Sequence, residues 1–320
     1  MILLLTFLHA WVKLELVWLT IKNFAKLLDG NQQLKLRTGF RSNFEMTVQV
    51  FTTVVNRPDF VEIQQKLFQK FLKDDYQFHV VDDSIDEDIS KEFKRVCDSN
   101  SVTYYRKPQS EEKKFDNPLA GARHATETIQ WTYDTIIKQN YSEDLILFCD
   151  SDMFLLDDFS LEEYMQGETI AGHLQVRGHV RYIWNGIMFF DMKKISEIDP
   201  NLNFSDGVVE GQQTDIGGHL YPYFKKYNVQ FKRINDSGTD GEDYPEYPTE
   251  YNGVQIPVLL TSDMWCKPED GYNFELHLGG KFLHYRAGTN WHTQSSWKSK
   301  EDPLRVKAEI FNQIIKDFID

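Results

Sequence analysis

The sequence predicts an α/β fold with a mainly parallel central sheet covered by helices on both faces. Three observations lead there. From Met46 onward, β-branched runs alternate with runs of helical period, the pattern of βαβ units. Leu145–Cys149 is an unbroken apolar run, as expected of a strand buried on both faces. The 320 residues are 41% apolar and 14% aromatic, which is enough for a large core.

Residues 1–43 stand apart from that pattern. The stretch 1–28 is apolar and reads as a helix, but Lys13, Glu15, Lys22 and Lys26 interrupt it. Three readings stay open: a membrane anchor, an interfacial helix, or a helix packed on the domain. A membrane-associated or a cytoplasmic location follows accordingly. Residues 29–43 are polar and read as a linker, and residues 44–320 as one domain.

Within that domain the first strand is MTVQVFTTVV, closed by Asn56, Arg57 and Pro58. Pro58 suits the first turn of a helix, and Val61–Leu72 carries a helical apolar face. Phe78–Val81 is a second strand ending in Asp82, Asp83 and Ser84. A helix over Ile89–Cys97, a strand over Val102–Tyr105 and a long helix over Asn117–Lys138 lead to the strand of Asp150. Beyond it come a short helix (Leu161–Met165) and strands over Thr169–Val176 and Tyr182–Met192. Val208–Tyr227 reads as a glycine-bearing loop that turns helical at LYPYFKKY. An acidic loop, Asn235–Tyr251, has the composition of a lid. Lys281–Tyr285 is a last strand and Pro303–Ile319 a closing helix.

A net charge of −14 argues against binding nucleic acid, which needs a basic surface. Cys97, Cys149 and Cys266 show no paired spacing, so neither a disulfide framework nor a cysteine zinc site is expected. The chemistry gathers at Asp150-Ser151-Asp152. In a continuous strand the two aspartates would point the same way, and a divalent cation would relieve their repulsion. Hard ions such as Mn²⁺ or Mg²⁺ take carboxylate oxygens and keep positions open for phosphate. The plainer alternative is an acidic turn closing a strand.

Several of these segments resemble known glycosyltransferases. VFTTVVNRPDFVEIQQKLFQKF followed by FHVVDDS resembles the opening of the inverting glycosyltransferase family 2. LILFCDSDMFLL resembles the Asp-x-Asp strand of the wider GT-A superfamily. WNGIMFFDM and KFLHYRAGTNW resemble two late segments of the glycogenin-like family 8, the second of which carries a histidine metal ligand. The resemblance covers about Met46 to Trp291. It implies a Rossmann-like GT-A domain, with 44–152 as the nucleotide-binding half and 153–320 as the acceptor half. It implies a metal-dependent transfer of sugar from a nucleoside-diphosphate donor, a UDP- or GDP-sugar, to a hydroxyl of a glycan or other acceptor.

Carried over by residue, the resemblance makes Asp150, Asp152 and His284 the metal ligands. Thr52, Thr53, Asp82 and Arg123 would bind the nucleotide. Asn185, Gly186, Trp184 and Gln213 would lie beside the donor or acceptor sugar. Family 2 places a Glu-Asp pair where this chain has Gln212 and Gln213. Asp215 is therefore the first candidate for the base that takes the acceptor proton, with Glu210 second. Whether transfer inverts or retains stays open. Two other readings compete: a carbohydrate- or nucleotide-sugar-binding protein without turnover, and a nucleotidyltransferase. The last normally has a glycine-rich phosphate loop near the first strand, and FTTVVNRPDF contains no glycine.

Overall fold

The computed structural model describes residues 47–109, 119–237, 250–251, 253–255, 274–286 and 301–319, together with Pro248. The segments 1–28 and 29–43 lie outside the described residues, as do most of the acidic loop and Trp291. Among the described residues no helix is long and apolar enough to cross a membrane.

The central sheet has seven strands, and its order explains where a site can form. Strands β1 (Val48–Val54), β2 (Tyr76–Asp82), β3 (Thr103–Arg106) and β4 (Leu145–Asp150) run parallel in the order β3-β2-β1-β4. The long strand β7 (Val180–Asp191) joins β4 antiparallel, then β6 (Ile170–Arg177) joins β7 antiparallel, and β10 (Lys232–Ile234) closes the edge parallel to β6. The strand order reverses between β1 and β4. In open α/β sheets, ligands bind at the carboxyl ends of the strands at such a switch point.

The two sheet faces carry separate cores, as the period of two requires. Val48, Val50, Leu145, Leu147 and Cys149 belong to one. Phe51, Ile146, Phe148, Met188 and Phe190 belong to the other. The predicted helix after β1 is present as α1 (Pro58–Phe71), with its proline in the first turn. It is followed by α2 (Glu87–Ser99), capped by Asp86, whose side chain accepts from the amides of Asp88 and Ile89. The predicted long helix is α3 (Leu119–Thr132), which widens into a π turn at Tyr133–Ile137. Thr128, Thr132 and Thr135 each donate a hydroxyl to the carbonyl four residues back. Such bonds compete with the backbone ladder.

The strand alternation expected to align Asp150 with Asp152 stops at Asp150. The apolar run after Asp152 does not continue β4. The chain turns at Ser151 and Asp152 and starts β5 (Met153–Leu155), which leaves the main sheet. It pairs with β14 (Phe282–His284), which in turn pairs with β13 (Glu275–His277), both antiparallel. This small sheet packs through Phe154, Leu276 and Leu283 against Phe60, Leu67 and the C-terminal helix Glu301–Ile319, through Phe311, Ile314 and Ile315. The loop predicted from Val208 is instead a hairpin of β8 (Gly207–Val209) and β9 (Gln212–Thr214), followed by the helix Leu220–Tyr227.

Candidate active site

The site grows from the carboxyl ends of β1 and β4, where Thr53 stands in register with Asp150. The turn after Asp150 is clamped from two sides. Gln64 of α1 is fully buried, and its Nε2 donates to the Asp150 carbonyl at 2.9 Å and to the Met153 carbonyl at 2.8 Å. From the other side the Tyr285 amide donates to the Asp152 carbonyl at 2.8 Å. Replacing Gln64 by leucine leaves two acceptors without this donor. The expected loss is about 1–3 kcal/mol of stability, read from urea unfolding of the metal-free chain.

Register in the small sheet then sets the next residues. His284 lies opposite both Met153 and Glu275. Its Nε2 is 3.6 Å from Asp152 Oδ1, and its Nδ1 is 2.9 Å from Glu275 Oε2. A carboxylate on the far nitrogen of a histidine fixes the ring for metal binding. Trp184 covers this corner, its ring centroid 5.4 Å from that of His284. It gets there through a bulge: Gly172 on β6 faces Met188, but His173 already faces Trp184. The indole folds back over Gly186, where a Cβ would fall 1.9 Å from the ring. That close approach is why a glycine is needed there.

The electrostatics are those of crowded charges. Burial, then the neighbouring Asp152, pushes the Asp150 carboxyl up to about 7; His284 opposes and Asp215 adds to the rise. Burial alone would lower His284, but Asp152 and Glu275 more than reverse it, to about 9. Glu275 is held well below the usual range, because His277 and His284 outweigh its burial. Lys307 of the C-terminal helix is pushed down to about 7 by burial and by Arg286. Its Nζ donates to the Tyr285 and Arg286 carbonyls, both at 3.1 Å, pinning the chain just after His284.

The structure thus brings together Asp150, Asp152, His284, Thr53, Asp215 and Trp184. Asp215 follows β9; its amide donates to the Tyr182 hydroxyl at 3.0 Å and its charge acts on Asp150. Asn185 lies buried in the bulge, its Oδ1 without a hydrogen bond among the described residues. Arg123 falls in α3, with its side chain outside the described residues.

Four other candidates stand differently in the structure. Thr52 and Thr53 are adjacent in a strand, so they face opposite sides of the sheet. Only Thr53 is partly exposed, whereas Thr52 is fully buried. Both carboxylate oxygens of Asp82 are taken by protein donors: the Ser84 amide, the Ser90 and Tyr104 hydroxyls and the Arg106 guanidinium, at 2.6–2.7 Å. Asp82 is also fully buried and therefore shapes the end of β2. Glu210 sits at the tip of the β8–β9 hairpin and pairs with Lys225 at 2.7 Å and His179 at 3.2 Å. Gln213 is exposed on the same hairpin and donates to the carbonyl of Thr214.

Sequence reasoning missed Gln64, Glu275 and His277. Glu-x-His in ELH does carry a signal, since residues two apart on a strand share a face. Nothing local in α1 marks Gln64.

No family model matches this chain, and neither does any curated protein. It is similar to solved glycosyltransferases. The galactosyltransferase LgtC, solved with donor and acceptor sugar analogues, is 12% identical over 83% of this chain and 96% of its own, with a TM-score of 0.46. The mannosyltransferase PcManGT from Pyrobaculum calidifontis, solved with GDP-Man and Mn²⁺, is 10% identical over 49% of this chain and 48% of its own, at 0.32. The bifunctional glycosyltransferase WbbM is 13% identical over 48% of this chain, at 0.31, and the match spans 33% of its length. At such values the chemistry of the site has to stand on this chain's own residues.

Proposed function

We propose that this chain is a glycosyltransferase that takes a sugar from a nucleoside-diphosphate donor, with a divalent cation held by Asp150, Asp152 and His284. The observation that carries the reading is the aspartate pair at the β1/β4 switch point, with Asp152 buried and Asp150 half-buried. One carboxyl is driven up to about 7 there, largely by burial and by its neighbour. Two carboxylates with an imidazole edge 3.6 Å from one of them suit Mn²⁺ or Mg²⁺. Bound there, the ion would supply positive charge to a diphosphate leaving group.

The chain's own residues would do the rest. Gln64 and the Tyr285 amide hold the aspartate turn still, and preorganisation of this kind is where most electrostatic catalysis comes from. Thr53 beside Asp150 provides a polar edge for the donor. Trp184 offers an aromatic face against which a sugar can stack. Asp215, near enough for its charge to act on Asp150, is the remaining candidate to accept the acceptor proton or steady the charge at the anomeric carbon. Donor and acceptor identity, and the stereochemical course, would be set by residues around this core.

A binding protein without turnover is the second reading. It is favoured by Glu210 being paired at the surface and by glutamines at positions 212 and 213. A melting-temperature screen with UDP-, GDP- and CMP-sugars, with and without Mn²⁺, tests the main proposal. The expected result is a rise with one diphosphate donor that requires Mn²⁺, accompanied by slow donor hydrolysis. A rise without hydrolysis or transfer favours the binding protein. No rise with any donor rejects the main proposal and leaves a carbohydrate-binding protein.

A further inference from the structure

The edge of His284 turned away from Asp152 opens on a second group of ligating atoms. Glu275 and His277 are two residues apart on β13, so both side chains leave the same face. Glu275 Oε2 lies 2.9 Å from His284 Nδ1 and 3.5 Å from His277 Nε2. Ligand atoms from all three residues lie within 4.8 Å of one another. Two ligands on one ion with bonds of about 2.0–2.2 Å stand roughly 3.0–3.5 Å apart. The 3.5 Å spacing suits a shared ion and is long for a hydrogen bond, whereas the 2.9 Å spacing is that of a hydrogen bond, which an ion would replace.

What His277 lacks decides between the two. Its ring is fully buried, and neither ring nitrogen has a hydrogen-bond partner among the described residues. Glu275 Oε1 is in the same position. A neutral imidazole carries one donor and one acceptor, and burying both unpaired is unfavourable. An ion on Nε2 removes the acceptor problem and gives the Glu275 carboxylate a second partner. The Trp184 ring lies nearly parallel to His277, 24° between planes at 6.4 Å.

We infer that Glu275 and His277, together with Nδ1 of His284, form a second cation site that takes Zn²⁺. The two nitrogens of one imidazole point away from each other, so an ion on Nδ1 is a different ion from one held on Nε2 with Asp152. Two imidazoles and one carboxylate in a buried setting suit zinc, whereas the aspartate pair suits the harder Mn²⁺ or Mg²⁺. Were both ions bound, His284 would have to ligate through both nitrogens as imidazolate, its remaining N–H proton released to solvent. The inference rests on the proposed function only for the position of the first ion.

The test is a metal count on the full chain. Protein stripped with a chelator is dialysed against one equivalent of ZnCl₂ and an excess of MnCl₂, then weighed by native mass spectrometry. The expected result is one zinc and one manganese per chain. His277→Gln is expected to lose the zinc and keep the manganese, and Asp152→Asn to do the reverse. Manganese without zinc in the wild type overturns the second site and leaves the proposed function standing. Zinc without manganese, lost in His277→Gln, supports the second site and counts against the first. Zinc retained in His277→Gln at wild-type affinity also overturns it. Should that variant fail to fold, zinc-edge X-ray absorption of the wild type decides: a shell with two imidazoles supports the site, and one imidazole or none rejects it.

Discussion

Asp152→Asn is expected to lower donor turnover, measured as kcat/KM for hydrolysis or transfer, by about a thousandfold, with manganese no longer restoring it. The magnitude is that of removing one preorganised charge from the place where leaving-group charge develops. The change keeps the side chain's shape and removes a charge, so metal binding is lost for an electrostatic reason. The Asp150 carboxyl should then fall back toward the ordinary range, because its neighbour's charge is the second largest cause of its rise, after burial. A control separates this from misfolding. With chelator present, the variant should keep the wild-type circular dichroism spectrum and unfold cooperatively. Wild-type activity and wild-type metal dependence in Asp152→Asn would reject the aspartate turn as the metal site.

Manganese affinity in zinc-free protein is expected to fall about a thousandfold between pH 8 and pH 6. A cation on this site needs Asp150 ionised and Nε2 of His284 free of its proton. His284 is raised to about 9, so between pH 9 and 7 it must release one proton, about a tenfold change per unit. Asp150 is raised to about 7, so below that pH a second proton must leave and the change approaches a hundredfold per unit. The sign is fixed: both groups hold protons more tightly in the folded protein than in isolation, so acid competes with the ion. Calorimetric titrations at pH 6, 7 and 8, in buffers of different ionisation enthalpy, give both the affinity and the protons released. An affinity that stays flat from pH 8 to 6.5 would mean that the aspartate and histidine titrate as ordinary side chains, and the crowded-charge description would fail.

The parts of this architecture visible in the sequence were those encoded locally. The β-branched run of β1, the Pro58 start of α1 and the apolar run of β4 each declare themselves within about ten residues. The aspartate pair was visible for the same reason. The argument that aligned the two carboxylates was nevertheless wrong in detail, since strand alternation stops at Asp150 and a turn, not a pleat, brings Asp152 round. Pleat alternation also separates Thr52 from Thr53, although both were expected in one pocket. Asp82 had the right chemistry for a base contact, but neighbours as distant as Arg106 consume its oxygens. Glu275 and His277 were missed because β13 has three residues and pairs with an equally short strand. In so short a strand the Glu-x-His spacing is the whole of the signal. Gln64 was missed because a buried glutamine and an exposed one look alike on a helical wheel.

The small sheet also bears on the order of events during synthesis. β5 follows β4 within a few residues, yet its partner β14 begins at Phe282, and the helix that backs it starts at Glu301. Closing so long a loop is entropically expensive, and contacts of high sequence separation form slowly. A nascent chain that has released β1 through β7 already owns both aspartates, in a central sheet that lacks only β10, and lacks every imidazole nitrogen and carboxylate of β13 and β14. Ion affinity is thus acquired only once β13 and β14 have been made and fold back onto the turn at Asp152.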